Sequence, residues 1–162
     1  MLTIVTGSQN SGKTTTLINR FKKTLKGDGF VAVKQFSGAQ IIGFSALRIT
    51  TGEMRCLAIH EHGNQVDLDV ACRIGPYVFS GATLNWIECT MLELISQKTQ
   101  PLYLDEIGKL ELMGAGLDKT MQLILRSGLD AIISVRTDLL ARVLQHYAID
   151  VFHHEPVKSW KG

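Results

Sequence analysis

The chain has 162 residues, 45% hydrophobic and 20% charged, a length and balance that suit one globular domain with a sizeable core and exclude a disordered tail. A formal net charge of +2 at pH 7 is too small to argue for a nucleic-acid partner, and no apolar run approaches the length that spans a bilayer. Cys56, Cys72 and Cys89 are odd in number and widely spaced, which reads as buried free thiols rather than a disulfide framework.

Leu2-Thr3-Ile4-Val5-Thr6 is short, apolar and β-branched, the composition of a strand. The chain enters it straight from Met1, so no signal peptide is expected and a cytoplasmic protein is. Gly7-Ser8-Gln9-Asn10-Ser11-Gly12-Lys13-Thr14 then satisfies G-x-x-x-x-G-K-[ST] in full. In such a loop the glycines let the backbone curl until successive N–H groups face one anion. Lys13 brings a point charge to the terminal phosphates, and the Thr14 hydroxyl can ligate Mg²⁺. Thr15 to Lys26 reads as a helix, so the loop joins a strand to a helix N-terminus, the setting in which phosphate is bound. Residues 7–14 with Thr15 are therefore the expected phosphate-binding set, and a nucleoside triphosphate is the expected ligand. Lys22, Lys23 and Lys26 fall on the polar face of that helix and read as solvated.

Gly27-Asp28-Gly29 is a helix stop, and Phe30 to Phe36 reads as a second strand. After a turn at Ser37-Gly38-Ala39 come strands at Ile41 to Ile49 and Met54 to Glu61, joined by Thr50-Thr51-Gly52-Glu53. So short a connection makes the pair antiparallel, because parallel strands need a crossover. Residues 63–80 are polar and glycine-containing and read as a loop over the nucleotide site. Leu84, Ile87, Met91, Leu92 and Ile95 give Ala82 to Ser96 helical spacing. Pro101 leads into a strand at Leu102-Tyr103-Leu104-Asp105; Leu117, Met121, Ile124 and Leu125 mark another helix. Ala131 to Val135 is a continuous apolar run, the look of a strand buried on both faces. Leu139, Leu140, Val143 and Leu144 suggest a short helix before a last strand at Ile149 to Phe152.

Strands alternating with helices imply an α/β protein in three layers. The central sheet is mostly parallel, with the antiparallel strands of residues 41–61 as an excursion at its edge, all in one domain covering 1–162.

Asp105 ends an apolar strand, the position from which an acid holds Mg²⁺ beside the loop threonine. Glu106, one residue beyond, is placed to hold a water in line with the γ-phosphate and take its proton, which favours hydrolysis over transfer. Arg136 falls at the carboxyl end of a core strand, the edge where open α/β sheets bind ligands. It is a candidate for the base or ribose, with a structural ion pair as the alternative. No Asn-Lys-x-Asp guanine-reading motif occurs, which fits loose base choice. His60, His62, His153 and His154 lack partners at ligand spacing and read as ordinary surface or edge residues, and Trp86 and Trp160 as packing residues.

The loop together with Asp105-Glu106-Ile107-Gly108-Lys109-Leu110-Glu111-Leu112 resembles the small nucleoside-triphosphatases related to the human cancer-related enzyme and its archaeal and bacterial counterparts. Arg73-Ile74-Gly75-Pro76-Tyr77 is similar to that family's Arg-x-Gly-x-Tyr segment. Gly43-Phe44 with Thr51-Gly52-Glu53, and Ile133-Ser134-Val135-Arg136, extend the likeness over nearly the whole chain. The resemblance implies a P-loop fold and slow, Mg²⁺-dependent hydrolysis of several triphosphates to diphosphates. It also implies roles for Lys13 and Thr14 at phosphate and metal, for Asp105 behind the magnesium's direct ligands and for Glu106 as candidate base. Arg73 and Lys109 become candidates for touching the γ-phosphate, each with a surface salt bridge as the alternative. One departure stands out: Gln35 to Gln40 carries no counterpart of the family's Thr-x-Glu-Val-Arg-like stretch. A monomer is favoured, without nucleic acid or membrane. The competing readings are a P-loop kinase of a small acceptor and a nucleotide-binding adaptor of molybdopterin-type cofactor synthesis, both of which the Asp105 to Leu112 match speaks against.

Overall fold

In the computed structural model, which describes residues 1–61 and 69–158, the chain opens with β1 (Leu2–Gly7), α1 (Lys13–Thr24) and β2 (Asp28–Ser37). Four strands follow: β3 (Gln40–Arg48), β4 (Met54–His60), β5 (Val70–Ile74) and β6 (Tyr77–Ser80). Then come α2 (Gly81–Ser96), β7 (Leu102–Ile107), α3 (Lys109–Leu112), α4 (Asp118–Ser127), β8 (Ala131–Arg136), α5 (Leu140–His146) and β9 (His153–Pro156).

The strands form one sheet in the order β5-β6-β4-β3-β2-β7-β8-β1-β9. Strands β2, β7, β8, β1 and β9 run parallel, and β3, β4, β6 and β5 extend the sheet beyond β2 through antiparallel pairs. Parallel strands need both faces covered. Side chains alternate accordingly: Ile4, Phe30, Leu102, Leu104 and Ile133 meet Ile87 and Met91 of α2, Met121 and Ile124 of α4 and Val143 of α5. Val5, Val31, Tyr103 and Ile132 meet Leu17 of α1 on the other face. Helix–sheet–helix layering is the architecture that the alternation of elements implies.

The boundaries differ in instructive ways. Helix α1 begins at Lys13, because Gly12 already serves as its N-cap, and it ends two residues before Lys26, with Leu25 left-handed and its N–H on Phe21 O at 2.7 Å. The final strand is His153–Pro156 rather than Ile149 to Phe152. Ile149 and Phe152 pack against the core from the preceding loop, while the polar residues supply the ladder to β1. Their side chains are satisfied locally, His154 Nε2 lying 2.8 Å from Thr6 Oγ1 and Glu155 accepting from Arg20.

Residues 63–80 are not simply a loop. Those from 70 to 80 form the β5–β6 hairpin at the far edge of the sheet; residues 62–68, with His62, lie outside the described residues, as does Trp160. The thiols are not buried: Cys56 and Cys89 are exposed and Cys72 is half-buried, all three free. Trp86 packs as expected, edge-on to Phe30 at 4.9 Å with the Arg55 guanidinium over its ring at 4.2 Å. No helix among the described residues is long and apolar enough to cross a membrane.

Candidate active site

The loop between β1 and α1 is built by backbone handedness. Asn10 (φ 59°) and Gly12 (φ 93°) are left-handed, a conformation that helps turn successive N–H groups of the loop to one side. Gly7 contributes differently: a Cβ there would lie 2.1 Å from Ser11 Oγ and push that side chain aside. That Ser11 hydroxyl is buried and has no hydrogen-bond partner. Lys13 is only 4% exposed, and its ammonium folds back over the loop to donate to Ser8 O at 2.8 Å. Thr15 sits exposed on the first turn of α1, beside the loop.

Facing the loop, Asp105 is 2% exposed and collects donors from four places. Thr14 Oγ1 donates to its Oδ2 at 2.6 Å, the Ala32 N–H to the same oxygen at 3.0 Å, the Glu106 N–H to Oδ1 at 3.1 Å, and the Ser134 hydroxyl to Oδ1. Burial pushes its carboxyl above the usual range, and the hydrogen bonds from Ser134, Thr14 and Ala32, with the Lys13 charge, pull it back. The sequence-assigned metal pair, Thr14 and Asp105, is thus in direct contact. A hydroxyl and a carboxylate are the hard oxygen donors that Mg²⁺ takes, so the residues present fit that ion.

Glu106 is where the backbone departs from a regular strand. Opposite β8 the register jumps from Leu104↔Ile133 to Ile107↔Val135, so Asp105 and Glu106 share the single partner Ser134. The extra residue is a β-bulge, and Glu106 pays for it with φ 62°, a left-handed conformation costing a non-glycine residue about 1–2 kcal/mol. Ser134 Oγ accepts the Glu106 N–H at 2.9 Å and anchors the bulge. The outcome is a buried Asp105 beside a solvent-accessible Glu106. Crowding at the mouth and the Asp105 charge raise the Glu106 carboxyl above its ordinary range, against the opposing pull of Lys13, Lys34 and Arg136.

The remaining candidates separate. Arg136 ends β8 in register with Gly7, beside the loop, and grips Asp138 bidentately (3.0 and 2.6 Å), which holds the Asp138 carboxyl low with help from Lys109. Lys109 opens α3, exposed at the same mouth. Arg73 is not brought to the loop. It lies on edge strand β5, seven strands from β1 in the sheet order, exposed and paired with Glu61, so the salt-bridge alternative describes it.

Three residues of the site region were given no role of their own by the sequence reading. Ser134 is one and Lys34, whose ammonium contacts Asn10 Oδ1, is another. The third is Glu111, 4% exposed, which accepts from Gly108 N at 2.8 Å and Leu117 N at 2.9 Å and so closes the segment after Glu106 on itself.

Comparison with known proteins places the chain in a family. A family model described as NTPase matches residues 3–155. The chain is 30% identical over 137 residues to the nucleoside-triphosphatase THEP1 of Thermotoga maritima, covering 84% of this chain and 74% of that protein. It is 28% identical, with the same coverage, to the THEP1 of Thermotoga sp. strain RQ2. Among solved structures, a human cancer-related nucleoside triphosphatase superposes with a TM-score of 0.67 at 19% identity, over 98% of this chain and 89% of that one. THEP1 from Aquifex aeolicus gives 0.69 at 18%, over 98% and 90%. These two likenesses bear on the fold, a P-loop sheet.

Proposed function

Because the chain belongs to the NTPase family, we propose that it hydrolyses nucleoside triphosphates to diphosphates and phosphate, with Mg²⁺ and with little regard for the base. The observation that carries the reading is the bulge in β7, which sets an accessible carboxylate, Glu106, directly beside the buried Asp105–Thr14 pair at the mouth of an anion-binding loop.

The loop N–H groups and Lys13 receive the β- and γ-phosphates, and a phosphate oxygen satisfies the orphaned Ser11 hydroxyl. Thr14 and Asp105 hold Mg²⁺, which supplies positive charge to the phosphate oxygens. Glu106 orients a water and accepts its proton as the oxygen attacks the γ-phosphorus, and its raised pKa brings it closer to the range in which a general base works. Lys109 and Arg136 lie at the same mouth, and either can meet the charge that develops on the transferring group. Free thiols without disulfide partners suit a reducing cytoplasm.

The test is the initial rate of phosphate release across the ribo- and deoxynucleoside triphosphates, with Mg²⁺ and with EDTA. A flat profile abolished by EDTA supports the reading; phosphate release that persists in EDTA, or is confined to one base, sinks it. Glu106→Gln should bind nucleotide while turnover falls by about 100-fold or more.

A further inference from the structure

Strand order puts Lys34 in an unusual place. Between β2, which carries it, and β1, which carries the phosphate loop, stand β7 and β8. At about 4.8 Å per strand this separates the two backbones by roughly 14 Å. The Lys34 ammonium nevertheless reaches Asn10 Oδ1 in the middle of the loop.

Its position along the strand explains how. β2 pairs with β7 from Asp28↔Leu102 to Phe30↔Leu104, and the Ala32 N–H is spent on Asp105. Lys34 is two residues further, about 7 Å beyond Ala32, and so leaves the sheet above the carboxyl end of β7. A lysine side chain is much shorter than that separation, so it reaches over the carboxyl end of β7, where Glu106 sits, and the loop carrying Asn10 comes across to meet it.

Its partner matters as much as its place. Arg136 is tied to Asp138 and Arg73 to Glu61, each by a carboxylate, whereas Lys34 holds a neutral amide oxygen. Residues 35–40, which continue the strand and its turn, bring no charge of their own. With a neutral amide as its hydrogen-bond partner and Glu106 as a neighbouring carboxylate, the Lys34 ammonium can exchange Asn10 for an incoming anion beside the cradle.

We propose that Lys34 supplies, from within the chain, a cation to the γ-phosphate, exchanging the Asn10 side chain for γ-phosphate oxygens when the triphosphate enters. The proposal rests on the hydrolytic reading above. In that step water oxygen forms the new bond to phosphorus while the bond to the β–γ bridging oxygen breaks. The proton passes to Glu106, and the electron pair leaves with the diphosphate. Lys34 offsets charge on the transferring oxygens, as a point charge rather than a planar fork.

The experiment compares Lys34→Ala, Lys34→Gln and Lys34→Arg with the unmodified chain. The readouts are kcat for ATP with Mg²⁺, Kd for Mg-ADP, and retention of Mg-ADP with aluminium fluoride on gel filtration as a mimic of the transition state. Ala and Gln should lower kcat by about 100-fold or more and fail to retain the fluoride complex, with the ADP Kd moved less than about threefold; Arg should keep at least about a tenth of kcat. If Ala and Gln stay within about threefold in kcat and retain the fluoride complex, the role is overturned. Loss of ADP affinity in equal measure with kcat also overturns it, since Lys34 then only tethers the loop. An unmodified chain that hydrolyses no triphosphate overturns the underlying reading itself, a result distinguishable from either.

Discussion

Ser134 and Asp105 meet across the β7–β8 pair: the Ser134 hydroxyl donates to Asp105 Oδ1, and its oxygen in turn accepts the Glu106 N–H at 2.9 Å. One fully buried side chain on β8 therefore binds both the carboxylate assigned to the metal and the bulge that carries the base. Ser134→Ala leaves Asp105 short of a donor and the bulge short of an anchor. Urea unfolding should show a loss of about 1–3 kcal/mol, the cost of an unmet buried polar group. Hydrolysis should fall by about tenfold or more as Glu106 loses its fixed orientation. Unchanged stability and rate would mean that the bulge holds itself.

Glu106 is held at φ 62°, where glycine sits freely. Glu106→Gly removes that strain but adds chain entropy to the unfolded state, so the expected net gain in stability is up to about 1 kcal/mol. Turnover should be lost at the same time. A thermal melt without nucleotide checks the first half and a phosphate-release assay the second. A destabilised variant would argue that the Glu106 side chain makes contacts outweighing the strain.

Gly7→Ala is expected to spare the fold far more than the function. The added Cβ would fall 2.1 Å from Ser11 Oγ and 3.1 Å from Ser11 Cβ, so Ser11 must turn away from the place it holds in the loop, while the ladder of β1 to β8 and β9 stays in place. Titration with a fluorescent triphosphate should show affinity weakened by about 100-fold or more, with far-UV circular dichroism unchanged. Wild-type affinity would show that the loop relaxes without losing its cradle.

Glu111 couples the segment after Glu106 to pH. Burial raises its carboxyl from 4.5 to about 7, with the Asp118 charge adding to the shift and the Leu117 and Gly108 N–H groups opposing it. Around Asp118 stand Tyr147 Oη, Gln122 Nε2 and His146 Nε2, at 2.7, 2.8 and 3.5 Å. A raised pKa means that the folded chain binds the proton more tightly than the unfolded one. Its contribution to stability is full below the unfolded value and is lost as pH rises through about 7, a change on the order of 3 kcal/mol. Glu111→Gln cannot titrate. The unfolding free energy of the unmodified chain, less that of the variant, should therefore be larger (more stabilising) at pH 5 than at pH 8. Equal differences at the two values would show that Glu111 titrates normally.

The phosphate loop and Asp105 were legible because their chemistry depends on spacing along the chain, which a sequence displays directly. Glu106 was legible as an acid beyond a strand end, but its bulge was not, since a left-handed glutamate has no local signature. Lys34 and Ser134 read only as strand residues. Their roles come from β7 and β8 lying between β1 and β2, an order that periodicity does not carry. The same order removes Arg73 from the site. Hydropathy misplaced the last strand because Ile149 and Phe152 are apolar for packing, whereas β9 is a polar edge strand recruited by backbone hydrogen bonds. The β5–β6 hairpin was readable in principle: Val70, Cys72 and Ile74 alternate up to a Gly75-Pro76 turn, but the polar stretch before them drew the reading toward a loop.

That strand order also governs when the protein can come into being. Both neighbours of β1 are β8 and β9, drawn from residues 131–136 and 153–156, although β1 itself occupies residues 2–7. On a ribosome the phosphate loop emerges long before residues 131–156, and its own strand finds no sheet partner until they follow. Strands β2 to β4, paired in sequence through tight connections, have no such delay. The antiparallel wing is thus the part able to organise early. The nucleotide site closes as a late event of synthesis, and an interrupted chain holds the complete binding motif without the power to use it.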